Sequence, residues 1–156
     1  MKPGPSSLAV RSTMRRMRTA LVLVAALLSG ASLRAAPPIQ ITSVVWKDAA
    51  GLPAGAKMAI LEGDPTKPGL FTIRIKVPPG TKIMPHTHPR AERVTVLWGE
   101  VRVGFGDRFD LKKMKTFPAG SYYVNPPDSR HFLYFPRTTV LQMTGDGPWE
   151  LHYARE

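Results

Sequence analysis

From residue 71 to residue 77 apolar and polar side chains alternate: Phe71, Ile73, Ile75 and Val77 against Thr72, Arg74 and Lys76. Successive side chains of an extended strand point to opposite faces, so this stretch predicts a strand with one face buried and one wet. Pro78, Pro79 and Gly80 then stop it. The same reading predicts strands over residues 39–46, 58–61, 121–125, 131–135, 139–143 and 150–153. Residues 93–103 hold two β-rich runs broken by Gly99, which predicts a hairpin turning at that glycine. Residues 49–55 and 62–69 are rich in Gly and Pro and predict loops. The charged stretch 107–115 predicts a loop or a single helical turn. About nine short strands separated by turn residues make an all-β sandwich or barrel.

Composition sharpens that picture. The 156 residues are one domain's worth, and 16 Pro with 13 Gly favour many turns over a helical bundle. There is no Cys, which excludes disulfides, thiolate metal sites, iron–sulfur clusters and cysteine nucleophiles together. Any metal must therefore be held by nitrogen and oxygen.

The N-terminal stretch reads as an address. Arg15, Arg16 and Arg18 precede an apolar run over residues 19–28, and the small residues Ser29, Gly30, Ala31 and Ser32 follow it. A secretory signal peptide has these three parts, and the run is too short to span a membrane. The expected arrangement is a signal peptide and linker over residues 1–35 and a barrel domain over 36–156. The mature chain should begin between Ser32 and Ala36 and keep no membrane anchor, in the periplasm or secreted. Residues 1–31 carry five basic side chains and no acid, so their removal takes the formal net charge from +11 to +6. The remaining charges are scattered, with no basic ribbon interleaved with aromatics, and this argues against a nucleic-acid partner.

The chemistry lies in a short segment. His86 and His88 stand two apart, so on a strand both rings share a face. Glu92 follows four residues later, and Pro85 and Pro89 stiffen the flanks. The full spacing runs Gly80, His86, His88, Glu92, Gly99, with a second group Gly120, Pro126 and His131 after a gap over residues 100–119. This spacing resembles the two motifs of the cupin family, motif 1 over residues 80–99 and motif 2 over 120–135. The first fits without departure. In the second, Asp128 stands where Gly is usual and Phe135 where Asn is; Asp visits positive φ more readily than most residues. The likeness covers about residues 61–153 and is closest to small exported bacterial single-domain cupins.

The resemblance implies a single antiparallel jelly-roll barrel whose interior holds one divalent ion on His86, His88, Glu92 and His131. Three neutral imidazoles and a carboxylate suit Fe, Mn, Ni, Cu or Zn. Those are three of the four histidines in the chain; His152, between Leu151 and Tyr153, is expected to face solvent. Leu133 and Phe135 should share the inward face of His131, and Met84 that of His86, to line an apolar pocket. Trp98, Phe117 and Trp149 read as packing, Arg90 and Arg93 as solvated charges, and Lys112, Lys113 and Lys115 as a basic surface loop. The leading expectation is an exported metal-dependent oxidoreductase of dioxygenase type acting on a small apolar or aromatic molecule, with Glu92 as ligand and catalytic proton acceptor. The alternatives are a non-catalytic ligand-binding or sensing cupin and a metal-assisted isomerase or hydrolase. A homodimer is the family habit.

Overall fold

The computed structural model describes residues 41–154. The stretch read as a signal peptide and its expected cleavage region lie outside the described residues. Those described form eleven strands and one 3-10 turn. In chain order the strands are β1 (Lys47–Asp48), β2 (Lys57–Glu62), β3 (Gly69–Val77), β4 (Thr81–Thr87), β5 (Glu92–Trp98) and β6 (Glu100–Phe105). After the 3-10 turn Leu111–Lys113 come β7 (Lys115–Pro118), β8 (Tyr122–Asn125), β9 (His131–Phe135), β10 (Thr139–Gly147) and β11 (His152–Tyr153). One sheet has the order β1-β2-β3-β10-β5-β8 and the other β11-β4-β9-β6-β7. Every strand pairing is antiparallel.

Alternation explains the core. Phe71, Ile73, Ile75 and Val77 are all buried on β3. They meet Val94 and Val96 of β5 and Leu141 and Met143 of β10, while Ile83, Val101, Val103, Leu133 and Phe135 come from the opposite sheet. Burying each such side chain contributes about 1.5–3 kcal/mol relative to leaving it in water. The result is the two-layered jelly-roll barrel.

Three expectations need correction. Residues 41–46 are not a strand; only Lys47–Asp48 pairs, with Met58 and Lys57. Val45 is 76% exposed, and without a neighbouring ladder its β-propensity has nothing to pack on. Residues 93–103 do not form a hairpin either, because β5 and β6 belong to different sheets. Gly99, with φ of 77°, marks the corner where the chain crosses between them, and a Cβ there would lie 2.3 Å from the Thr138 carbonyl oxygen.

The third concerns Met84, which is 49% exposed and does not line the interior cavity. Its period-two kinship with His86 is broken by a bulge: Ile83 pairs with Leu133, yet His86 pairs with His131. Two steps on β9 thus face three on β4, and the extra residue turns Met84 outward.

Candidate metal centre

The two strands that carry clustered histidines, β4 and β9, belong to the second sheet. His86 lies near the end of β4 and its cross-strand partner His131 opens β9. His88 follows just beyond β4, where its carbonyl accepts the Asp128 N–H at 2.8 Å and ties the two motifs together. Asp128 has φ of 54°, the left-handed conformation that the Gly of the family pattern would take easily. Glu92 opens β5 in the first sheet and reaches the group from across the barrel.

The three rings are 1–3% exposed, and one ligand-capable atom from each lies within 4.8 Å of the others. Hydrogen bonds decide which nitrogen faces the centre. His86 Nδ1 donates to the Met84 carbonyl at 2.7 Å, His88 Nδ1 to the Glu150 carbonyl at 2.7 Å, and His131 Nδ1 to the Ser129 carbonyl at 2.9 Å. A carbonyl can only accept, so each Nδ1 carries the proton and each Nε2 keeps a bare lone pair. His131 Nε2 is buried with no hydrogen-bond partner. His88 Nε2 stands 3.1 Å from Glu92 Oε1, and His131 Nε2 stands 3.9 Å from Oε2. A buried cluster of acceptors with no donor among them needs a proton or a cation, and nitrogen with one carboxylate is the donor set of a divalent transition metal.

The electrostatics agree. Burial, with repulsion from His131 and His88, pushes His86 down to about 3. Burial and His152 push His88 down to about 4, against the opposing pull of its bond to Glu150. His131 is also lowered, chiefly by burial, with Glu92 opposing. All three are therefore neutral near pH 7, as ligands must be. Burial raises Glu92 despite the two hydrogen bonds that favour its charged form.

Those two bonds come from residues that reading the sequence missed. Trp149 Nε1 donates to Glu92 Oε1 at 2.6 Å, and Asn125 Nδ2 donates to Oε2 at 2.8 Å. Trp149 is therefore more than packing: its ring also stacks on His88, with centroids 5.9 Å apart and planes 11° apart. Asn125 faces Glu92 directly across the β5–β8 ladder. The period-two pair Tyr123 and Asn125 on one face of the 121–125 run was a usable signal for it. Trp149 gave none. Replacing Trp149 with Phe keeps the ring and removes the N–H. It should weaken metal binding about tenfold, the low end for a group that orients a ligand, and competition titration against a chelator will measure this.

Among the described residues, a cavity of about 40 Å³, partly open to solvent, lies at the centre. His86, His88, Glu92, Tyr123, Asn125 and Trp149 give its polar wall, and Leu133 and Phe135 lie among its many apolar residues. Burial and the nearby Glu92 charge push the Tyr123 phenol upward, so it stays protonated. The remaining positions read from sequence lie outside this site. Trp98 is 68% exposed, Arg90, Arg93, Lys112, Lys113 and Lys115 are exposed, and Phe117 packs on Tyr123. His152 is exposed and pairs with Glu150.

Known proteins share this architecture. Germin-like protein 3-1 of Oryza sativa subsp. japonica is 43% identical over 67 residues, covering 42% of this chain and 30% of that protein. The rhicadhesin receptor of Pisum sativum is 42% identical over 71 residues, covering 42% and 33%. The chain thus spans about a third of the length of the curated relatives it matches. Among solved structures, the polyketide cyclase RemF of Streptomyces resistomycificus superposes with a TM-score of 0.63 at 14% identity, covering 78% of this chain and 87% of that one. An RmlC-like cupin from Shewanella frigidimarina gives 0.55 at 20%, covering 71% and 91%. Salicylate 1,2-dioxygenase from Pseudoaminobacter salicylatoxidans gives 0.50 at 16%, covering 60% and 27%. At these identities the structures share the fold alone. The family described as ChrR Cupin-like domain matches residues 36–150, so the chain, like its barrel and its histidine cluster, belongs to that cupin family.

Proposed function

We propose that this protein is an exported, metal-dependent cupin enzyme performing oxidative chemistry on a small apolar or aromatic molecule. One observation carries the reading: three neutral imidazoles and a carboxylate converge beside a cavity otherwise walled by aliphatic and aromatic side chains. A transition metal held by His86, His88, His131 and Glu92 would supply a Lewis acid and a redox couple. The chain itself contributes a largely apolar, shaped pocket for an apolar substrate. Glu92, whose proton affinity burial has raised, is placed to take or return a proton at the substrate. Fold neighbours named as a polyketide cyclase and a salicylate dioxygenase put chemistry on aromatic compounds within reach of this barrel.

Elemental analysis of protein from its own host, followed by oxygen uptake with phenolic, thiol and keto compounds, tests the reading. Iron, copper, nickel or manganese with substrate-dependent uptake supports it. Zinc alone, with tight ligand binding and no turnover, favours a binding or non-redox cupin. Glu92→Gln should keep part of the metal and lose at least about tenfold in turnover, and unchanged turnover removes Glu92 from the chemistry. Export rests on the basic, apolar and small-residue order before residue 36. N-terminal sequencing of the mature protein should start between Ser32 and Ala36; a soluble form retaining residues 14–28 overturns it.

A further inference from the structure

Apart from the imidazole nitrogens left for an ion, one residue lining the cavity carries a buried polar atom without a partner among the described residues. Asn125 is 2% exposed and lines the cavity from β8. Its Nδ2 is committed to Glu92 Oε2 at 2.8 Å, and its Oδ1 has no partner. The opposite amide orientation would set Oδ1 against a carboxylate oxygen, acceptor against acceptor, so the bond to Glu92 fixes which end is free. A buried carbonyl without a donor is costly, and such groups recur where a ligand completes them. Tyr123, two residues earlier on the same inward face, stays a neutral phenol, and the other walls are mostly apolar.

We infer that Asn125 Oδ1 is the acceptor for a hydroxyl group on the ligand, so that the cavity selects a small, largely apolar alcohol or phenol. The inference rests on the proposal that a small apolar or aromatic molecule occupies this cavity. Asn125 then joins both partners: one end of the amide orients Glu92 and the other reads the ligand. A site built around a hydrogen bond rejects the analogue that lacks the donor, because the buried acceptor is left bare.

Phenol and toluene have nearly the same shape and differ in that one group. Calorimetric titration of the zinc-loaded protein should show phenol binding at least about tenfold more tightly than toluene. Asn125→Leu, with its zinc content measured in parallel, should erase the preference and leave toluene binding within a few-fold. If that variant fails to fold or to hold zinc, Asn125→Thr takes its place. Its shorter hydroxyl can still donate to Glu92 but reaches less far, and it should cut the preference as well. Equal binding of phenol and toluene by the wild type overturns the role of Asn125 while leaving the apolar cavity as the ligand site. A preference that survives both substitutions with zinc in place assigns the hydroxyl to the metal and also overturns it. Binding of neither compound overturns the cavity reading and the inference with it.

Discussion

Replacing His88 with alanine should lower the affinity for a divalent transition metal by about a hundredfold. Structural zinc sites release roughly 10–16 kcal/mol over four ligands, so one ligand carries about 3 kcal/mol, two orders of magnitude in the binding constant. The surroundings of His88 offer no substitute. Its Nδ1 is held by the Glu150 carbonyl, its ring lies under Trp149, and its Nε2 stands 3.1 Å from the Glu92 carboxylate. Alanine leaves the carboxylate and two imidazoles around a gap that water can fill but not with comparable basicity. His86→Ala and His131→Ala should behave alike, since both rings are equally buried and oriented. Elemental analysis after dialysis against a weak chelator will separate the outcomes, and full metal retention in the His88→Ala protein would sink the site as drawn.

Acid should unfold the metal-free protein well before it unfolds the loaded one. In the folded chain His86 and His88 stay neutral down to about 3 and 4, whereas in the unfolded chain they take up protons near 6.5. Between those values the unfolded state binds more protons, so stability rises with pH and falls as the solution is acidified. The loss begins near pH 6.5. One unit lower it amounts to about 1.4 kcal/mol for each histidine, and below the folded values it reaches on the order of 3–5 kcal/mol each. His131, lowered in the same direction, adds to it. Glu92 works the other way from its unfolded value near 4.5 upward: its raised affinity for a proton costs stability as the pH climbs past that value and returns it in acid, which offsets part of the histidine loss. Melting temperatures of the metal-free protein should therefore drop steeply between pH 7 and pH 5, and a flat profile would show that the histidines are not held neutral by burial.

The candidate ligand cluster was legible because its chemistry is local. His86, His88 and Glu92 fall within seven residues, and the spacing to Gly80 and Gly99 carries the pattern. The buried face of β3 was legible for the same reason, since a regular strand exposes its period directly. Met84 was misplaced because a bulge adds a residue without leaving a mark in composition. Gly99 was read as a hairpin turn because a turn and a corner between sheets both call for a glycine at positive φ. Asn125 went unread, and Trp149 was read only as packing, for another reason. They touch Glu92 from 33 and 57 residues away, through a strand register and a loop that only the folded barrel establishes.

The segment after β10 has a consequence of its own. Within residues 149–153, Trp149 aims Glu92, the Glu150 carbonyl aims His88, and Tyr153 pairs beside His86. Tyr153 also donates its hydroxyl to the Gly51 carbonyl and so latches β11 to the loop before β2. Ion and segment are linked by reciprocity: whatever affinity an ion gains from the docked segment, the segment gains in docking from a bound ion. The segment from Trp149 to Tyr153 is thus a gauge of the centre. Amide exchange across residues 151–154 should slow as the ion is taken up, and fraying there should be the first sign that it has been lost.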